Sequence, residues 1–172
     1  MTSRHPEVRF SSNLSPQQRA AILDFEDLVM RRGPRFGRET TSRLELREVD
    51  IYERQEDRKV HARVVFEIDM AEDMLNARGN LHGGCTMHLI DICTTTALMT
   101  LKIAMNKEGD YVSQAVNTVF HAPVKVGARL EIINTTTAWG SRSISARTEI
   151  WDITNRRLIA TGIQNQMQTS RL

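Results

Sequence analysis

LHGGCTMHLIDICTTTALMTLKIAM, residues 81–105, is the one long apolar segment of the chain, and its reading decides the fold. At about 100° per residue, Met87, Ile90, Thr94, Leu98, Leu101 and Met105 fall on one stripe, as in a helix with a buried face. On either side the pattern changes to a period of two. Upstream, Leu44, Leu46, Val49 and Ile51 precede a polar turn over Gln55 to Lys59, and Val60, Ala62, Val64 and Phe66 follow it. Leu44 to Asp69 therefore reads as two antiparallel strands. Downstream, four short strands are predicted over Tyr111 to Phe120, Ala128 to Thr137, Ser143 to Ile153 and Leu158 to Met167. They are divided by the polar loop Asn106 to Asp110, His121-Ala-Pro123, Gly140-Ser141 and Thr154-Asn155. Two strands, one long helix and four strands predict an α+β fold, a curved antiparallel sheet wrapped around the helix. Its edge strands need pairing or protection, which predicts dimerisation through an edge.

An extra helix is expected near the N-terminus. Ser15 is a good N-cap with Pro16 at the first turn, Ile22, Phe25, Leu28 and Val29 recur at helical spacing, and Gly33-Pro34 ends the run. Met1 to Ser15 shows no period and reads as a flexible or loosely packed tail. The expected division is a tail and helix over residues 1–43, packed on a main domain over residues 44–172.

The 172 residues suit one domain, and 40% hydrophobic with 26% charged residues is an ordinary globular composition. A net charge of +2 is too mild to predict nucleic-acid binding, though it leaves room for an anionic small molecule. The longest apolar runs are broken by polar and charged residues well short of the ~20 residues a bilayer span needs, and no signal-peptide pattern follows Met1. A cytoplasmic protein is expected. Arg4 and Arg9 offer a mitochondrial presequence as the alternative, against which stand Glu7 and the missing amphipathic run. Cys85 and Cys93 sit about 12 Å apart along one helix, too far to pair, which fits a reducing compartment.

The chemistry concentrates in Asn76 to Asp91. Gly79 and the pair Gly83-Gly84 put bare backbone where a helix begins and its first N–H groups lack intrahelical partners. Such an end can hold a carbonyl oxygen or an oxyanion, or the glycines can simply let the helix pack closely. Asp91 falls inside the apolar stripe, where an ionised acid needs a partner or a function. The alternatives for it are a bond to Thr94 or Thr95, or a place facing solvent. His82 and His88, six apart, point away from one another, so no metal site is expected, and neither cysteine reads as a nucleophile.

These residues resemble the hotdog-fold acyl-CoA thioesterases of the phenylacetate-pathway type, including the small eukaryotic thioesterase-superfamily members. The resemblance rests on Asn76, the turn Gly79-Asn-Leu-His82-Gly83-Gly84, Asp91, Ser113 and Pro123-Val-Lys-Val-Gly127, and covers Leu44 to Met167. It implies that Asp91 is the general base or nucleophile and that the Gly83 N–H binds the thioester oxygen, with His82 orienting that turn. It further implies that Asn76 positions the water or carbonyl, that Thr95 helps orient the carboxylate or water, and that Ser113 is a strand serine beside the site. Hydrolysis of a fatty or aromatic acyl-CoA to free acid and CoA is expected, without cofactor or metal. The alternatives are another hotdog activity, such as enoyl-thioester hydratase, or a non-catalytic acyl-thioester binding protein. A homodimer or dimer of dimers sharing the site between chains is expected, because eight residues separate Gly83 from Asp91, about 12 Å of helix. Against the family minimum, Met1 to Arg43 is an extension and Asn106 to Asp110 is enlarged.

Overall fold

A computed structural model describes residues 7–32 and 36–169. In chain order it contains β1 (Arg9–Phe10), α1 (Pro16–Asp27), a π-helical turn (Leu28–Arg32), α2 (Arg38–Thr41), β2 (Glu45–Glu53) and β3 (Val60–Asp69). A 3-10 turn (Glu72–Met74) leads to α3 (Gly83–Ala104), followed by β4 (Tyr111–Phe120), β5 (Arg129–Trp139), β6 (Ser143–Asp152) and β7 (Arg157–Gln168). The fold is α+β: one seven-stranded sheet in the order β1-β2-β3-β5-β6-β7-β4, with α3 across one face. All its neighbours pair antiparallel except β1 and β2. Because α3 connects β3 to β4, the chain crosses over β5, β6 and β7 and delivers β4 to the far edge.

The core follows from alternation. Val64, Phe66 and Ile68 of β3, Leu130 and Ile132 of β5 and Ile150 of β6 point inward against Leu89, Ile90, Cys93, Ala97 and Leu101 of α3, all buried. The helix is covered on more than the one predicted stripe. Met87, expected within that stripe, is 42% exposed, whereas Thr86, Thr96 and Thr100 are buried. The reason is α1, which packs along a second face of α3.

That packing begins at a capping box. The Gln18 N–H donates to Ser15 Oγ at 3.2 Å, and the Ser15 N–H donates back to Gln18 Oε1 at 3.0 Å. Gln18 Nε2 then reaches the last turn of α3, donating to the carbonyls of Ala104 at 3.1 Å and Ile103 at 3.4 Å. Deeper in, Glu26 is fully buried and takes two bonds from Arg31 Nη1, at 2.8 and 3.0 Å, while Arg31 Nη2 donates to Leu44 O. A buried acid held this way ties the end of α1 to the start of the sheet.

One reading of the N-terminal region is corrected. The stretch taken as a loose tail contains β1, which pairs parallel with β2 at Glu48 and Val49. The Ser11 N–H donates to Val49 O at 2.9 Å, Asn13 Nδ2 donates to Ile51 O at 2.7 Å, and Leu14 is 3% exposed. A two-residue strand has no period to detect. The expected helix runs as α1 to Asp27 and continues as π-helical turns to Arg32; its expected stop at Gly33-Pro34 lies outside the described residues. Among the described residues no helix is long and apolar enough to cross a membrane.

Helix and sheet approach closely at Gly162 of β7. A Cβ there would stand 2.8 Å from both Cδ1 and Cγ2 of Ile90, inside van der Waals contact. Gly162→Ala is therefore expected to destabilise the fold by about 1–3 kcal/mol through overpacking, read as a lower midpoint in urea at unchanged slope.

Candidate active site

The approach to α3 is a shaped turn. Asn76 Oδ1 accepts from the N–H groups of Arg78 at 2.9 Å and Asn80 at 3.3 Å, and Gly79 occupies the left-handed region at φ 70°. The Asn76 side-chain oxygen is thus engaged in building the turn. Upstream, Asp73 receives Arg43 Nη2 at 2.8 and 3.0 Å and Thr40 Oγ1 at 3.1 Å, which fastens the segment after α2 to this loop. His82 is the N-cap of α3, and its Nδ1 accepts from the Gly84 N–H at 2.9 Å. Its carbonyl accepts from the Thr86 N–H at 2.9 Å. The remaining first-turn donors, Gly83 N–H and Cys85 N–H, have no carbonyl four residues back within the helix. A Cβ on Gly83 would lie 3.4 Å from the Phe120 ring, so the aromatic edge flanks this helix start.

Two turns further along, the half-buried Asp91 presents its carboxylate to the strands β4 and β7. Oδ1 accepts from Ser113 Oγ at 3.0 Å and from Gln164 Nε2. Gln164 Nε2 also donates to Ser113 Oγ at 2.8 Å. Its Oε1 accepts from the hydroxyls of Thr94 and Thr95, the latter at 3.4 Å, and Gln166 Nε2 donates to Thr95 Oγ1 at 2.8 Å. The Asp91 carboxylate is thus bonded to neither Thr94 nor Thr95, although Thr94 Oγ1 lies 3.1 Å from the Asp91 backbone carbonyl. Thr94 turns to Ile90 O at 2.6 Å, and Thr95 reaches the carboxylate only through Gln164.

The expected site residues therefore form two groups. Asp91, Ser113 and Thr95 meet around Gln164; Asn76, His82 and Gly83 gather at the helix start, about 12 Å away by the rise of α3. Gln164 was missed by reading the sequence. Its signal was a pair of amides, Gln164 and Gln166, at alternate positions of a strand and both buried.

Electrostatics narrows the chemistry. Burial pushes the Cys85 thiol up to about 11, with the Asp73 charge adding to it, and burial raises Cys93 well above the usual thiol range. Neither supplies a thiolate near neutral pH. His88, one turn before Asp91, is held below its usual value by burial, which outweighs the nearby Asp91 charge. Phe36 lies edge-on to its ring at 5.0 Å, and a Cβ at Gly37 would stand 2.2 Å from its Nε2. The imidazole is packed as a neutral group.

A long central helix crossed by a wrapped antiparallel sheet, with amide donors at its start and a bonded carboxylate in its middle, defines a hotdog-fold protein. The same fold occurs in the crystal structure of zebra fish thioesterase superfamily member 2, at a TM-score of 0.66 and 23% identity over 86% of this chain and 98% of that one. A hypothetical thioesterase from Streptococcus pneumoniae, crystallised with coenzyme A, gives 0.60 and 17% over 86% and 94%. In sequence, acyl-coenzyme A thioesterase 13 of Mus musculus is 29% identical over 100 residues, 58% of this chain and 69% of that protein. Residues 78–159 match the Thioesterase superfamily.

The depressed His88 has a consequence for stability. A histidine whose folded pKa lies below the unfolded value of 6.5 contributes stability above that pH and loses it as pH falls through the folded value. Denaturant midpoints measured from pH 7 to 5 are expected to fall less steeply for His88→Gln than for the wild type, and the wild-type imidazole is expected to titrate below 6.5 by NMR.

Proposed function

We propose that the protein hydrolyses acyl-CoA thioesters, carrying a fatty or aromatic acyl group, to the free acid and CoA at sites shared between two chains. The observation that carries the reading is the carboxylate of Asp91, half-buried in the middle of α3 and held by Ser113 and Gln164. In hydrolysis the water oxygen joins the acyl carbon, the C–S bond breaks, and a proton reaches the departing thiolate. Asp91 serves as base toward that water, or attacks the carbonyl itself. The developing oxyanion is matched to the Gly83 N–H at the positive end of α3, with His82 capping and orienting that turn. Apolar contact for the acyl chain is available at Met87 and Phe120, both exposed. The relatives named above include an acyl-coenzyme A thioesterase and a thioesterase bound to coenzyme A, which supports the substrate class.

Sharing follows from distance. A reacting carbon within roughly 3–3.5 Å of Asp91 cannot have its oxygen on a donor about 12 Å along the same helix. Strand β4 supports a dimer that solves this. It is the outer strand on its side of the sheet, and Val112, Val119 and Phe120 are 49%, 59% and 55% exposed. A second chain docked there, its helix antiparallel, brings its Asn76, His82 and Gly83 to the Asp91 of the first. The two free cysteines fit a reducing compartment such as the cytoplasm.

A thiol-release assay across an acyl-CoA panel tests the activity. Asp91→Asn is expected to lower kcat by more than tenfold at an unchanged thermal midpoint, since it keeps the size and removes the basic oxygen. Asp91→Asn and Asn76→Ala, each inactive, are then unfolded together and refolded. Random pairing makes half the dimers mixed, each with one intact site of two, so activity returns to about a quarter of wild type. A mixture as inactive as either parent, with mixed dimers demonstrated by tagged subunits, rules out the shared site.

A further inference from the structure

Gln164 carries more than its place in the strand requires. It is 0% exposed, on β7 between Val116 of β4 and Ala146 of β6, and it faces α3 rather than solvent. All of its amide atoms are in use: Nε2 toward Asp91 and Ser113, Oε1 toward Thr94 and Thr95. The orientation of the amide has only one workable sense. Flipped, it would turn its oxygen onto the carboxylate, which can only accept. Its two protons are therefore spent on Asp91 Oδ1 and Ser113 Oγ.

That assignment fixes the next proton. Ser113 Oγ accepts from Gln164, and its own single hydrogen has Asp91 Oδ1 as acceptor at 3.0 Å. The serine donates to the carboxylate, so it is not poised to lose its proton to it and attack. Oδ1 ends with two donors, whereas among the described residues Oδ2 has none. An oxygen that already receives two hydrogen bonds is the weaker base of the pair.

We infer that Gln164 is a positioning residue which, together with Ser113, locks Oδ1 of Asp91 and leaves Oδ2 as the oxygen that does the chemistry. The lock is itself braced. Thr94 and Thr95 hold the far end of the amide, and Gln166 Nε2 holds Thr95 at 2.8 Å. The role is the same whether Oδ2 takes a proton from water or attacks the carbonyl carbon, because either needs one oxygen free and the side chain unable to rotate. A misplacement near 1 Å in such a group costs up to about a hundredfold in rate.

The inference rests on the thioesterase reading, and its test separates the two. Gln164→Met keeps the volume and removes both donors; Gln164→Glu keeps an oxygen for Thr94 and Thr95 but sets a second carboxyl oxygen against Oδ1. Both are measured for thermal midpoint and for kcat and KM with the best acyl-CoA of the panel. The expected result is a kcat lowered by roughly tenfold to a hundredfold in each, with KM within about threefold, since substrate contacts are untouched. Ser113→Ala is expected to be non-additive with Gln164→Met, because both act on one oxygen. A folded variant of either kind with kcat near wild type overturns the lock, and so does a loss confined to KM or a strictly multiplicative double variant. Should the wild type release no CoA thiol from any acyl-CoA, the thioesterase reading falls instead. Crystal structures of the same two variants then decide the lock without activity: a carboxylate still in its wild-type rotamer in both removes Gln164 from its positioning.

Discussion

Ile90 rests against the bare backbone of Gly162, and the spacing of helix and sheet is set there. The contact is one residue from Asp91 along the helix and two from Gln164 along the strand. A wider gap would leave the carboxylate and the amide out of reach of each other; a narrower one is barred by the isoleucine. From the opposite side, α1 presses α3 toward the sheet, with Gln18 closing the helix's last carbonyls and Glu26 anchored to Arg31. A central carboxylate demands this degree of constraint, since an acid taken partly out of water is tolerated only while its donors stay in place.

The long elements were legible because their residues obey a single period. The strand Tyr111–Phe120 has its predicted ends, and α3 begins and ends within two residues of the apolar segment that announced it. The faces of β7 were not legible in the same way. Alternation assigns apolar residues inward, yet Ile163 and Met167 are exposed and Gln164 and Gln166 are buried. At Gln164 and Gln166 the inner positions serve hydrogen bonding to Thr94, Thr95 and Asp91 rather than packing, and a pattern of hydrophobicity cannot report that. In the N-terminal region, β1 was invisible because two residues paired to a neighbour leave no local pattern, only long-range bonds.

The candidate site was legible to different depths. Asp91 stood out because a charge in an apolar run asks for an explanation, and the glycines after His82 because bare backbone at a helix start is a donor surface. Ser113 lies 22 positions from Asp91 in the chain, so its bond to Oδ1 depends on the crossover that carries β4 to the sheet edge. Nothing local could announce it. For Asn76, the side-chain oxygen is spent on the turn before the helix, so its effect on the site passes at least in part through the shape of that loop.

The two borders of the sheet differ in kind. At one, β1 contributes only two residues, paired parallel to β2; at the other, β4 offers ten residues with an open backbone row. A ribbon with two long open borders can add copies without end, as fibres do. Among the described residues β4 is the one such border, so a chain that joined a twin through it would have no second long seam to offer. Growth in that direction would then stop at two, and the geometry that would complete a catalytic site would also cap the polymer.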